Sequence, residues 1–144
     1  MVSTETEGSV GDLVKRVQQS LRRRCDAALR PTGLSMAQYA ALRALADLPE
    51  ASASELARRC FVTRQSLQDL LTGLRSAGLV TDAQSAPRGR ARALALTAAG
   101  RKRLAAGDAA VNAVDAAMVA DLARTERRQL AALLIRCAEN LEGG

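Results

Sequence analysis

Hydrogen-bonding side chains recur along residues 63–76, opposite a stripe of leucines. The leucines stand at i, i+3, i+4 and i+7, which is typical of a helix with one face in a core: Leu67, Leu70, Leu71 and Leu74. At about 100° per residue the other side carries polar groups, with Arg64 on the flank of the first turn: Gln65, Gln68, Asp69, Thr72 and Ser76. Glutamine can bond adenine and arginine can bond guanine, each through two hydrogen bonds. The pattern predicts a helix that reads base edges, and the alternative is an ordinary solvated polar face.

The residues before this helix predict a helix-turn-helix. Ser52 with Glu55 three residues later is a capping-box signature that begins a short helix, and residues 61–63 form a tight turn. Thr63 is a good N-cap for the helix that follows. In a helix-turn-helix the second helix lies in the DNA major groove. The candidate contacts on or before this helix are Thr63, Arg64, Gln65, Gln68, Asp69 and Thr72.

A two-stranded hairpin is predicted next. Gly78 suits a left-handed helix end, residues 79–81 begin one strand, and residues 92–97 form its partner. The tip between them, residues 84–90, contains a proline and a glycine as turn residues. Arginines on a thin loop can contact the DNA backbone and enter its minor groove. The hairpin therefore adds the candidates Arg88, Arg90 and Arg92, whose alternative role is to keep an exposed loop hydrated.

Positive charge is concentrated in this same part of the chain. Residues 58–103 contain ten basic and two acidic residues, a net charge of +8, whereas the whole chain of 144 residues carries +6. The remaining residues therefore sum to −2. A basic segment that coincides with a helix-turn-helix pattern is typical of a phosphate-binding surface. A solvated basic face without a partner is the alternative.

Composition excludes several other functions. Apolar residues make up 48% of the chain, mostly alanine and leucine, and aromatics only 1%, which favours one mainly α-helical domain. There is no histidine, and three cysteines fit neither a disulfide framework nor a zinc site. We find no nucleophile elbow and no glycine-rich phosphate loop, so we predict no enzyme activity, no cofactor and no metal.

We expect neither a membrane span nor an export signal. No apolar run approaches the roughly 18 residues that span a bilayer, and residues 1–9 are polar and acidic. We therefore expect a cytoplasmic protein without a membrane partner. Residues 1–10 are predicted to be disordered.

Further helices surround the predicted DNA-binding module, residues 35–97. One helix is expected at 11–28, a second opens at Ser35 with Gln38 as a capping box, and a third follows the N-cap Thr97 through about residue 122. Thr125 is expected to cap the last helix. Inward-facing residues are predicted in the second helix and in the short helix after Ser52: Tyr39, Leu42, Leu45, Ala46, Leu56, Ala57 and Cys60.

The first and last helices carry more apolar surface than the small DNA-binding module can cover. The last one repeats apolar residues at i, i+4, i+7 and i+11: Leu130, Leu134, Cys137 and Leu141. Residues 11–34 and 98–144 are therefore expected to pair with a second copy of the chain as a dimerisation region. An intramolecular helical bundle is the alternative.

Five segments, in order and spacing, resemble the MarR family of transcriptional regulators over nearly the full chain: Leu34–Tyr39, Ser54–Ala57, Val62–Leu67, Leu74–Val80 and Leu94–Gly100. The resemblance implies an obligate homodimer with a winged helix-turn-helix in each subunit. It also implies a palindromic operator in double-stranded DNA, and often a small aromatic or phenolic effector that releases the DNA. These properties predict a transcriptional regulator that represses by occluding a promoter.

Two departures from the family pattern bear on DNA binding. The family's wing usually has an aspartate shortly before its key arginine, whereas Arg88-Gly89-Arg90 has none, unless Asp82 substitutes for it. Asp69 stands where many relatives have a basic residue. A carboxylate near phosphates lowers affinity for DNA unless it pairs with an arginine or accepts a hydrogen bond from cytosine N4. The departures motivate an alternative function, a winged-helix interaction adaptor that does not bind DNA.

An effector pocket is expected where the dimerisation helices meet the DNA-binding module. Arg43, one turn from Tyr39, could bind a carboxylate there, and Met36 could adapt to an aromatic ring, although Met36 and Tyr39 also suit a plain core. A cysteine-based redox sensor is a further alternative. Cys25 lies beside three arginines that would lower the pKa of its thiol, whereas Cys60 and Cys137 are expected to be buried small hydrophobes.

Overall fold

The computed structural model describes residues 8–83 and 94–143. It is mainly helical, as predicted, with one small sheet. The elements of these residues are α1 (Val10–Leu29), α2 (Met36–Asp47), α3 (Ala53–Arg59), α4 (Arg64–Ser76), β1 (Val80–Asp82), β2 (Leu94–Leu96), α5 (Ala98–Met118) and α6 (Arg124–Glu142). A single 3-10 turn, Arg30–Thr32, follows α1. Within the described ranges no helix combines the length and apolar character that crossing a bilayer requires.

The N-caps predicted for the helix-turn-helix are confirmed. Ser35 Oγ accepts from the Gln38 N–H at 3.0 Å, and Gln38 Oε1 accepts in return from the Ser35 N–H at 2.9 Å. Ser52 and Glu55 form the same reciprocal pair at the start of α3. The Thr63 hydroxyl oxygen accepts from the Ser66 N–H at 3.0 Å and begins α4. These side chains satisfy backbone donors that a helix start leaves without partners.

The two predicted strands are present and paired within the described residues, β1 beginning one residue later than predicted. Gly78 has a φ of 76° and ends α4, so that the chain turns directly into β1. β1 pairs antiparallel with β2, with Val80 opposite Leu96 and Asp82 opposite Leu94. The tip of the hairpin, residues 84–93, lies outside the described residues, and so do the predicted contacts Arg88, Arg90 and Arg92.

The core lies between α2, α3, α4 and the hairpin. Leu29, Leu42, Leu67 and Leu74 are its most completely buried large side chains. α2 packs on α3, α4 and β2 through a broad face. The prediction that Ala46 faces inward is wrong, because it lies in the last turn of α2, about 100° around the helix from buried Leu45.

The chain divides into two compact units, residues 1–114 and 115–144. The second unit contains α6, whose start differs from the prediction. Ala123 is its N-cap residue, and the Ala123 N–H donates to Glu126 Oε1 at 2.7 Å. Thr125 is therefore inside the helix, and the prediction of a cap there is wrong because Glu126 reaches back to Ala123 instead. α5 also ends earlier than expected, at Met118.

Close approach between α5 and the hairpin depends on Gly100. The Thr97 N–H donates to the Leu79 carbonyl at 3.0 Å, and the Thr97 hydroxyl donates to the Gly78 carbonyl at 2.7 Å. Thr97 also accepts from the Gly100 N–H at 3.0 Å and caps α5, as predicted. A Cβ atom on residue 100 would overlap the Leu79 carbonyl oxygen. Only glycine fits at this contact without a shift of the backbone.

Replacing Gly100 with alanine should therefore destabilise the protein. Overpacking of this kind costs about 1–3 kcal/mol, which is larger than the gain in helix propensity from glycine to alanine. Gly73→Ala is the matched control, because a Cβ atom there meets nothing within 4 Å. We expect the control to stabilise by about 0.5–1 kcal/mol. Urea unfolding at one fixed protein concentration measures both changes, and equal effects would contradict the packing described for Gly100.

Candidate nucleic-acid interface

The leucine stripe fixes which side of α4 faces solvent. Leu67, Leu71 and Leu74 are buried, and Leu70 is half-buried at the edge of the core. The predicted polar face lies on the other side, where five of its residues are exposed: Arg64, Gln65, Asp69, Thr72 and Ser76. Gln68 is half-buried at the margin between the two faces, and Thr63 is exposed at the N-cap.

Asp69 interacts with a neighbour on the same face. Gln65 Nε2 donates to Asp69 Oδ1 at 3.2 Å, one helical turn apart. The sequence left open whether this carboxylate pairs with an arginine, and the structure shows a glutamine amide as its partner. The hydrogen bond restricts the orientation of the Gln65 side chain.

The turn before α4 is basic and exposes an aromatic ring. Arg58, Arg59 and Arg64 are exposed, and the segment 56–68 contains no acidic residue. Arg59 also lies 3.3 Å from a carboxylate oxygen of Asp47. Phe61 has a φ of 58° and is 94% exposed. Sequence reasoning treated Phe61 only as part of the turn, because nothing in its residue type indicates a left-handed backbone.

An ion pair connects the end of α4 to the base of the hairpin. Arg75 Nη2 lies 2.7 Å from Asp82 Oδ1, and both side chains are exposed. The hydrogen bond and the charge of Arg75 lower the pKa of Asp82. Any stability from this pair is present above the unfolded-state pKa and is lost as pH falls through the lower folded-state pKa. The pair is exposed, so its contribution to stability is small.

Two of the three residues predicted for an effector pocket, Tyr39 and Arg43, form part of a polar contact between α2 and α5. Tyr39 is 8% exposed, and its hydroxyl donates to Asp108 Oδ1 at 2.7 Å. Arg43 Nη1 donates to the other oxygen, Oδ2, of Asp108 at 2.6 Å. Gly107 allows this approach, because a Cβ atom there would lie 2.6 Å from the Tyr39 ring. Met36 is partly buried and packs against the core.

The charge of Arg43 is already balanced by two carboxylates. Besides Asp108, its guanidinium contacts Asp47, with the closest atoms 2.9 Å apart. The hydrogen bonds that Arg43 donates to Asp47 and to Asp108, the first having the larger effect, raise the pKa of Arg43. Three of its five N–H groups donate to these aspartates, so a carboxylate ligand would compete with them for Arg43. Asp108 was missed by sequence reasoning, since it lies 65 residues away and no local pattern connects the two.

The three cysteines lie in different environments. Cys25 is only 2% exposed, which opposes the redox role predicted for it, because oxidation requires access to the thiol. Cys60 is half-buried, and desolvation raises the pKa of its thiol. Cys137 is exposed on α6, so its predicted burial is wrong for a single chain.

The first and last helices each expose apolar side chains. In α1 they recur at i, i+4 and i+7 as Val10, Val14 and Val17. In α6 the large apolar residues are all at least partly exposed: Leu130, Leu133, Leu134, Ile135 and Leu141. Apolar helix faces of this kind are typical of surfaces that another chain covers.

Asp108→Asn should weaken the contact between α2 and α5. The substitution removes the charge that pairs with Arg43 and one hydrogen-bond acceptor, so we expect a loss of about 1 kcal/mol in the free energy of unfolding. Asp115→Asn is the matched control, an exposed aspartate on the same helix, and should change stability by less than about 0.5 kcal/mol. Urea unfolding compares the two variants, and an equal loss in both would refute the role of Asp108.

Comparison with known proteins identifies the family. The sequence profile of the MarR family matches residues 32–91. The HTH-type transcriptional repressor Rv2887 of Mycobacterium tuberculosis (strain H37Rv) is 36% identical over 128 residues, which are 89% of this chain and 92% of that protein.

Two crystal structures of Rv2887 are also similar to the structure of this chain. The complex with salicylic acid has a TM-score of 0.75 at 35% identity and covers 90% of this chain and 96% of that chain. The complex with DNA has a TM-score of 0.74 at 33% identity and covers 90% of this chain and 98% of that chain. The predicted winged helix-turn-helix fold is confirmed, and the chain belongs to the MarR family of transcriptional regulators.

Proposed function

We propose that this protein is a sequence-specific DNA-binding regulator that represses transcription. It binds a palindromic operator as a homodimer and is released by a small aromatic effector. The observation that carries the proposal is the orientation of α4, whose leucines are buried while its polar side chains face solvent. The similarity to a repressor that has been crystallised with DNA supports the same function. We propose that it acts in the cytoplasm, where such a regulator meets its DNA.

The N-terminal half of α4 is the proposed reading surface. Thr63, Arg64 and Gln65 are exposed at the helix start, which in helix-turn-helix proteins contacts base edges. Gln65 uses one N–H to bond Asp69 and retains a second N–H and its carbonyl oxygen. Those two groups are what bidentate bonding to adenine requires. Asp69 thus positions the reading amide in this proposal, together with Gln68 and Thr72 further along the helix.

Affinity for any DNA comes from the basic residues around this surface. Arg58 and Arg64 flank the turn and are exposed. Arg88, Arg90 and Arg92 of the hairpin tip remain predicted contacts with the backbone and the minor groove. Each phosphate neutralised by such a residue releases a counterion, which makes binding weaker as salt rises.

Dimerisation through the first and last helices follows from their exposed apolar residues. Residues 11–34 and 98–144 form the dimerisation region in this proposal, and residues 35–97 form the DNA-binding module. A two-fold dimer presents two copies of α4 to half-sites about 34 Å apart, one turn of DNA. A palindromic operator matches that symmetry.

A small aromatic acid is the proposed effector, because the similar repressor has been crystallised with salicylic acid. To release DNA, the ligand must bind the DNA-incompetent arrangement of the dimer more tightly than the competent one. Met36, Tyr39 and Arg43 remain the proposed contacts. At Arg43 the ligand carboxylate would replace Asp108 or Asp47, and exchange of Asp108 would loosen the contact between α2 and α5.

Substitutions on α4 should separate general from sequence-specific binding. Arg64→Ala should lower affinity for all duplexes and reduce the slope of log K against log salt by about 0.9. Gln65→Ala should instead relax base preference at one position, with a loss of about 1–3 kcal/mol in discrimination. Fluorescence anisotropy with a duplex selected from a random library by the wild-type protein measures both effects.

The control is Arg16→Ala, which removes an exposed arginine of α1 outside the basic segment. It should leave the salt slope unchanged. Failure of the wild-type protein to select any duplex, or binding without salt dependence, would refute the regulator and favour the interaction adaptor.

Leu134→Asp should weaken the dimer. Leu134 is 47% exposed on the apolar face of α6, and a carboxylate there would be desolvated when the second chain covers it. Analytical ultracentrifugation should show a dimer for the wild-type protein and a shift toward monomer for the variant. Ala132→Asp, exposed and about 160° around α6 from Leu134, should remain dimeric, and an equal shift in that control would contradict the assignment of the face.

A further inference from the structure

Phe61 is an unusual residue for its backbone position. It is the only non-glycine residue with a positive φ among the described residues. Hydrogen bonds from the Phe61 N–H to the Arg58 carbonyl and from the Val62 N–H to the Ala57 carbonyl close the end of α3 and fix this turn. The backbone therefore imposes the left-handed conformation whichever side chain is present.

A phenylalanine at this position does not help the protein to fold. In the left-handed region its Cβ atom crowds the following carbonyl oxygen, a strain that glycine avoids. Its ring is 94% exposed and therefore gains almost nothing from burial. Strained residues of this kind are concentrated where a ligand is bound.

The surroundings of Phe61 indicate an anionic partner with apolar surface. Exposed Arg58 and Arg64 flank it in a segment without acidic residues. Phe61 precedes the N-cap Thr63 by two residues and so lies beside the end of α4 that enters the groove in the proposed function. DNA combines phosphates with the apolar surface of deoxyribose and of the thymine methyl group, and phenylalanine is among the side chains that contact that methyl.

We propose that Phe61 is an additional DNA-contacting and specificity-determining residue. Its ring packs against a thymine methyl group and the adjoining deoxyribose at the edge of the half-site, while Arg58 and Arg64 contact flanking phosphates. This inference rests on the proposed function and extends it, because it adds an apolar contact to the hydrogen bonds of α4.

Three variants at position 61 test the inference with a duplex selected by the wild-type protein. Phe61→Gly should bind about tenfold more weakly, as expected for the loss of one well-packed apolar side chain. Phe61→Asn, which tolerates the left-handed backbone but is polar, should lose as much, whereas Phe61→Leu should keep most of the affinity. The thermal unfolding temperature of Phe61→Gly should not fall, because the strain is relieved.

A modified duplex tests the thymine contact itself. Replacing thymine by deoxyuridine removes only the methyl group, so one such replacement per half-site should weaken binding by the wild-type protein. The same replacement should leave the affinity of Phe61→Gly unchanged. Sensitivity of both proteins to the replacement would overturn the contact.

Other outcomes separate this inference from the function on which it rests. If Phe61→Gly binds DNA as tightly as the wild-type protein, with the same salt slope, the inference is overturned but the proposed function is not contradicted. The ring would then be available to contact a protein partner. If Phe61→Gly loses stability as well as affinity, the ring is structural and the inference is again overturned. If the wild-type protein selects no duplex, the proposed function itself fails.

Discussion

Burial of the α4 leucines is the constraint on which the rest of the structure depends. Leu67, Leu71 and Leu74 are almost fully buried, and each contributes about 1.5–3 kcal/mol relative to an exposed side chain. Rotation of α4 by one residue would expose part of this stripe. The helix is therefore held with Gln65 and Asp69 toward solvent, and in the proposed function this fold-stabilising interaction also determines which side chains meet DNA.

α5 is held close to the DNA-binding module by two glycines and one aspartate. Gly100 allows contact with the Leu79 carbonyl, and Gly107 allows contact with the Tyr39 ring. Asp108 then bonds both Tyr39 and Arg43 of α2. These contacts connect α5 directly to the hairpin and to α2. An effector that exchanges for Asp108 would act on that contact, which links the dimerisation region to the reading surface in the proposed function.

Local features of the fold were predictable, because capping boxes, Gly78 and the α4 stripe are encoded by residues within about one or two turns of each other. Contacts between segments that are distant in the sequence were not predictable. Asp108 lies 69 residues from Tyr39, and no periodicity relates them. The cap at Thr125 was wrong because Glu126 satisfies an earlier donor. Cys137 is exposed although its helical spacing predicted burial, and the φ of Phe61 depends on how the backbone closes α3.

Solution NMR of the side-chain amides tests most directly whether the outward face of α4 reads DNA. The duplex selected by the wild-type protein, added at one duplex per two chains, should shift the Gln65 side-chain amide signals, whereas a scrambled duplex of equal length should leave them nearly unchanged. Gln18 and Gln19 on α1 should respond to neither duplex. Unchanged Gln65 signals beside shifted Gln18 and Gln19 signals would show that DNA binds elsewhere.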